Sequence, residues 1–241
     1  MDRDDFLKAL RNDAQANVKP FLDPASSGWL TDVYNDVYED GKEREIDTIY
    51  EILCYFSIAD KLAETVSMTC IPGNGANGHR LAKKPGKKDQ FMFLRFDRNG
   101  VTYDLCGGTE VEQKYDTNKK ECPDITLQRM GALLAKNAGA VVAMWDAKYH
   151  QQPKGKTNNL TKADFQQMYF WCDVIEFPPY TSGDILEQLL PDIHQVCAII
   201  TNAPSWSEYP ECCRQKRFSV VLDYKGPGTG NGPEPPTTDH R

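Results

Sequence analysis

Two aspartates and a lysine sit where strands are expected to begin and end. Pro123-Asp124 opens the alternating segment Ile125-Thr126-Leu127-Gln128-Arg129, which reads as a half-buried strand, and Asp146-Ala147-Lys148 closes the apolar run Gly139 to Trp145. Residues two apart in a strand face the same way, so Asp146 and Lys148 project from one face at its end. Ala140 to Trp145 lacks alternation and reads as a central strand covered on both faces. A carboxylate and an ammonium there must be paired, hydrated or metal-bound, because an isolated buried charge is costly. Sequential strands are usually neighbours, which would bring Asp124 and Asp146 to one cation. Hard divalent ions favour carboxylate oxygens and keep waters, so this pair suits Mg2+ plus a substrate phosphate. Lys148 beside that phosphate would stabilise charge or orient the attacking water. The chemistry is metal-assisted hydrolysis of a phosphodiester; the plain alternative is a structural ion pair or a solvated strand end.

Several elements must hold those groups in place. Glu45 to Thr65 reads as an amphipathic helix, with Ile49, Ile52, Leu53, Phe56, Ala59 and Leu62 as its apolar stripe. Glu51 flanks that stripe and reads as a surface charge. Gln90 to Phe96 and Val101 to Leu105, joined through Asp97-Arg98-Asn99-Gly100, read as a hairpin. Asp104 on its second arm is an extra acid or, more plainly, a strand-edge carboxylate. A second helix carries Phe165, Gln167, Met168, Phe170 and Trp171, and an amide buried among these would need partners. Gln167 would contact DNA, support the lysine, or cap a neighbouring loop. A helix over Ile185 to Leu190 and strands over Gln195 to Ile200 and Phe218 to Leu222 complete an α/β fold, a central mixed β-sheet flanked by helices. Residues 131–139 leave room for a turn or short helix between the two acid-bearing strands.

Taken together, Pro123-Asp124-Ile125 and Asp146-Ala147-Lys148-Tyr149 resemble the signature of the PD-(D/E)XK nucleases. In the Asp-Ala-Lys-Tyr form they are similar to the nuclease subunit of McrBC-type, modification-dependent restriction systems. Ile49 to Phe56 resembles the helix before that core, whose glutamate lies near the metal in many members. Ala163-Asp164-Phe165-Gln166-Gln167-Met168-Tyr169 resembles the helix after it. The resemblance spans Asp47 to Tyr224 and implies a restriction-endonuclease-like core. It also implies Mg2+, with Mn2+ as a substitute, held by Asp124, Asp146 and Glu51. Catalysis would rest on Asp124, Asp146, Lys148, Glu51 and Gln167, and the biological role would be defence against foreign DNA. Related cores serve repair and recombination, and phosphate chemistry alone leaves RNA open as a substrate. A catalytically silent DNA-binding or scaffold subunit is the non-enzymatic alternative.

Composition frames these expectations. The 241 residues suffice for one substantial domain: a helical extension over 1–44, a nuclease core over 45–225, and a Gly/Pro-rich tail or linker over 226–241. Asp2 to Val18 reads as a short amphipathic helix. Pro72 to Gly78 is glycine-rich but lacks P-loop spacing, so nucleotide hydrolysis would belong to another chain. No apolar run is long enough for a membrane span and the N-terminus lacks a signal-peptide core, which points to the cytoplasm. Eight cysteines without a CxxC pair read as free thiols of a reducing compartment. Cys70 with His79, or Cys106 with Cys122, is at most half of a zinc site.

The formal charge of −7 opposes nonspecific attraction to a polyanion. Three basic loops answer it locally: Arg80 to Lys88, Lys114 with Lys119 and Lys120, and Lys148 to Lys162. Weak intrinsic affinity for DNA fits a nuclease brought to its target by a partner, as the McrBC resemblance implies. Double-strand cleavage by a one-site subunit commonly needs two sites, which fits a homodimer or assembly with a motor NTPase or other recognition subunit.

Overall fold

The structure, a computed structural model, describes residues 46–74, 85–130, 141–150, 159–177, 197–203, 218–222 and 224. The expected 1–44 extension and its helix, His79 and the first basic loop from Arg80 to Lys84, the 131–139 connection, most of the third basic loop, the helix at Ile185 to Leu190 and the Gly/Pro-rich tail lie outside the described residues.

In chain order the elements are α1 (Ile46–Ala63), β1 (Thr69–Ile71), β2 (Phe93–Arg98), β3 (Val101–Gly107), β4 (Val111–Glu112), β5 (Lys120–Glu121), β6 (Ile125–Arg129), β7 (Val141–Lys148), α2 (Lys162–Val174), β8 (Cys197–Thr201) and β9 (Phe218–Val221). Seven strands form one mixed sheet in the order β1-β2-β3-β6-β7-β8-β9, while β4 and β5 pair separately. From β1 to β7 neighbouring strands are antiparallel. From β7 to β9 they are parallel. Thus β7 is the seam between the two halves, and helices cover both faces of the sheet.

Burial follows the pleat. Leu105, Leu127, Ala143 and Trp145 point to the face packed by Tyr50, Leu53, Phe56 and Leu62 of α1. Met144 and Ile199 point to the other, against Phe165, Met168 and Trp171 of α2. From Val141 to Ala147 every residue of β7 is buried. A strand covered on both faces has no reason to alternate, which is why its sequence is a continuous apolar run.

The described side chains of α1 are buried well beyond a single stripe. Tyr50, Cys54, Tyr55 and Ile58 join Ile52, Leu53, Phe56, Ala59 and Leu62 in the core. Tyr55 keeps its hydroxyl satisfied by donating to the carbonyl of Leu105 at 2.9 Å. Helix α2 is one-sided: Phe165, Met168, Trp171 and Val174 face inward, while Gln166, Gln167 and Phe170 are exposed. It starts at Thr161, whose hydroxyl accepts from the Asp164 amide while Asp164 accepts from the Thr161 amide at 2.7 Å, a reciprocal cap.

The hairpin β2–β3 turns at Asn99 (φ 51°) and Gly100 (φ 76°). Two left-handed residues in succession give the type I′ geometry that matches strand twist, which suits Asn-Gly. That turn fixes the register Arg98↔Val101 through Arg95↔Asp104.

Candidate active site

The site forms at the carboxyl end of β7, beside the start of β6. The pairing Ile125↔Trp145 continues to bring Asp124 opposite Asp146. Pro123 has no amide to extend the ladder. The Asp124 side chain makes the next contact instead, its Oδ2 accepting the Ala147 N–H at 2.8 Å. Gly108 reaches the same corner from the end of β3 and donates its N–H to the Asp124 carbonyl at 2.7 Å.

Asp146 is fully buried; its carboxylate makes no hydrogen bond of good geometry, and its polar neighbours are the Asp124 carboxyl and the Lys148 ammonium. Lys148 Nζ stands 2.9 Å from Asp146 Oδ1, close enough for an ion pair but without hydrogen-bonding alignment. Burial, and then the neighbouring charge of Asp124, push the Asp146 carboxyl well above its ordinary range. Asp124 is raised to about 6 by burial and by Glu51. Glu51, half-buried on α1, is raised to about 7 by burial, with Lys148 pulling it down and Asp146 and Asp47 pushing it up. Burial works against the Lys148 ammonium, but Asp146 and Asp124 outweigh it and its net shift is upward. The structure therefore brings Asp124, Asp146, Lys148 and Glu51 within electrostatic reach of one another.

Gln167 is placed differently. It lies on the solvent side of α2, exposed rather than buried among the aromatic residues around it in sequence. The residue of α2 that Lys148 does sense is Asp164, whose negative charge also raises it. Asp164 Oδ2 lies 3.6 Å from Nε2 of His150. Asn202, just beyond β8, clamps the His150 backbone by accepting its N–H at 2.7 Å and donating to its carbonyl at 3.0 Å. No spacing rule could have singled out Asn202, because the two residues meet only through the parallel pairing of β7 with β8.

Two other expectations change. Asp104 is a fully buried carboxylate, not one at a strand edge. Lys88 bonds its Oδ2 at 2.5 Å, Arg95 Nε bonds its Oδ1 at 2.7 Å, and a second Arg95 nitrogen reaches Oδ2 at 3.0 Å. Lys88 is consequently removed from the basic rim expected of the first loop, whereas Lys87, Lys114 and Lys119 are exposed. Burial raises the thiols of Cys70, Cys106 and Cys122 to about 12, so they are protonated near neutrality.

Fit to a divalent cation can be judged from the donors themselves. A hard ion held by one or two carboxylates plus waters suits Asp124 and Asp146, and the Asp146 oxygens, which make no well-aligned hydrogen bond, are the acceptors such an ion would satisfy. As they stand, no group of three His, Cys, Asp or Glu side chains is gathered for a metal among the described residues. Lys148 stands against Asp146, and one Asp124 oxygen is committed to Ala147. The chemistry of the pair fits, while its present arrangement favours the ammonium.

No described helix is long and apolar enough to cross a membrane. In comparisons with known proteins no family model matches the chain, and neither a curated protein nor a solved structure matches it.

Proposed function

We propose that the chain is a Mg2+-dependent endodeoxyribonuclease with a restriction-endonuclease-like core. One observation carries the reading: a fully buried Asp146 that is ion-paired with Lys148 yet makes no well-aligned hydrogen bond, at the end of a central strand beside Asp124 and Glu51. Proteins seldom leave a buried carboxylate unsatisfied without a purpose, and perturbed acids clustered with a lysine favour a functional site over a structural one.

When bound, Mg2+ would supply Lewis-acid polarisation of the phosphate and a more acidic water. Asp124 and Asp146 would hold it. The Ala147 N–H fixes one oxygen of Asp124, so that carboxylate is oriented before any ligand arrives. Lys148 would stabilise negative charge developing on the phosphoryl oxygens. Glu51, which ionises near neutrality, would accept a proton from the attacking water or complete the ligand set. Exposed Lys87, Lys114 and Lys119 would meet the phosphate backbone, and delivery by a recognition or motor subunit would compensate for the acidic net charge. A cytoplasmic role in defence against foreign DNA remains part of this reading through the resemblance of the motif.

Purified protein should nick or linearise supercoiled plasmid with Mg2+ or Mn2+, stop with EDTA, and lose activity in the Asp146→Ala and Lys148→Ala variants. Cleavage retained by folded Asp146→Ala protein would sink the assignment.

The Lys148–Asp146 ion pair favours a second reading, a catalytically silent DNA-binding or scaffold subunit whose cluster is closed by its own charges. That reading expects DNA binding without cleavage, and no calorimetric binding of Mg2+ or Mn2+.

A further inference from the structure

Among the described residues Asp124, Asp146 and Asp164 act on one ammonium, Lys148, and Glu51 lies within its electrostatic reach. With these acids ionised, negative charge outweighs the single ammonium, and a divalent cation would offset part of the excess. That ammonium stands 2.9 Å from Asp146 Oδ1, poorly aligned for a hydrogen bond, on a carboxylate that makes no other well-aligned one. An ammonium and a hard cation cannot both lie within contact distance of one oxygen without strong repulsion at low effective dielectric.

We infer that Lys148 is the residue that sets the cation affinity of the site: it occupies the place on Asp146 that a divalent cation takes, and loading the site moves the ammonium off that carboxylate. The inference rests on the nuclease reading and deepens it. Lys148 thereby does two jobs in sequence. Without the cation it offsets part of the buried negative charge and keeps the cluster folded. With the cation it is released, and its flexible stem lets it turn to the phosphate without moving β7. Metal occupancy and delivery of the lysine become one event, so a site without metal presents no free ammonium to a passing phosphate.

Mn2+ binding to the full chain, followed by titration calorimetry at pH 8, tests this with wild-type, Lys148→Met and Lys148→Arg proteins, each first shown to be folded by circular dichroism. Lys148→Met should bind Mn2+ at least about tenfold more tightly than wild type, because the competing charge is gone. Lys148→Arg, which keeps the charge, should remain within about threefold. The Lys148 ammonium resonance of 15N-labelled wild-type protein should also shift on Mg2+ addition, identified by its loss in Lys148→Arg. Wild-type binding with Lys148→Met unchanged or weaker would overturn the exchange and leave the nuclease reading standing. Absence of Mn2+ binding in both wild type and Lys148→Met would overturn the nuclease reading itself.

Discussion

Asp104 and Asp146 are both fully buried in one sheet, separated only by β6. The register Cys106↔Thr126↔Met144 puts them on the same face. Their surroundings are opposite. Asp104 is met by Lys88 and by a two-pronged Arg95, and both cations also lie over the Phe93 ring, at 4.9 and 5.2 Å from its centroid. Its charge is offset and its hydrogen bonds are made, so nothing remains for a ligand to satisfy. Asp146 has one ill-aligned ammonium and two oxygens without well-aligned hydrogen bonds. The difference teaches that burial of an acid does not by itself set a residue apart; incomplete satisfaction does, and the proposed function rests on it.

The largest effect that could break this comparison is on catalysis. Asp146→Asn should lower plasmid cleavage by about a thousandfold or more, about 4 kcal/mol of barrier. Asp104→Asn should leave the activity of its folded fraction near wild type, and the same nicking assay reads both. Stability should respond in reverse. Losing the Asp104 charge strands Lys88 and Arg95 and should cost about 3–5 kcal/mol in urea unfolding, whereas Asp146→Asn, which removes an unsatisfied carboxylate, should gain roughly 1–3 kcal/mol at pH 8.

The acid dependence sharpens the contrast further. Glu51 ionises at about 7 and Asp124 at about 6 when folded, both above their ordinary values. Between those ordinary values and the folded ones the native state holds more protons than the unfolded chain, so stability falls as pH rises from about 4 to about 7. Glu51→Gln should flatten part of that fall, by roughly 2 kcal/mol, and saturating Mg2+ should flatten it in the wild type; unfolding midpoints at pH 5 and 8 test both. The smallest effect is at a carboxylate that is satisfied near the surface. Thr161→Ala removes the hydroxyl arm of the Asp164 cap and should cost about 1 kcal/mol with little change in cleavage.

The acid-bearing strands were legible because their signals are local. The apolar run announced β7 and alternation announced β6 at Ile125–Arg129, and adjacency in sequence became adjacency in the sheet; but β6 is not the half-buried strand that alternation implied, because its polar Thr126 and Gln128 are buried as well. The Asn99-Gly100 turn also contained the Arg95↔Asp104 pairing, since a two-residue turn fixes the register all the way down the hairpin. Lys88 was not legible as a buried partner, because it arrives from a short 3-10 turn outside that hairpin. Strand β1 has three residues, and β4 and β5 two each, too short for any periodicity to register. The exposure of Gln167 followed from the rotation of α2, which its mixed aromatic sequence leaves ambiguous. Phe170 is exposed on the same helix while Phe165 and Trp171 are buried.

The bond from Asp124 to the Ala147 amide works as a ruler. Where backbone spans the gap between two strands, the spacing is indifferent to side-chain identity; here a single methylene measures it. Glutamate would present the same charge and the same oxygens, yet its extra carbon would carry the carboxyl past the amide and loosen the corner where β6 joins β7. At this position length is as much a requirement as acidity, and Asp124→Glu is therefore not a conservative change.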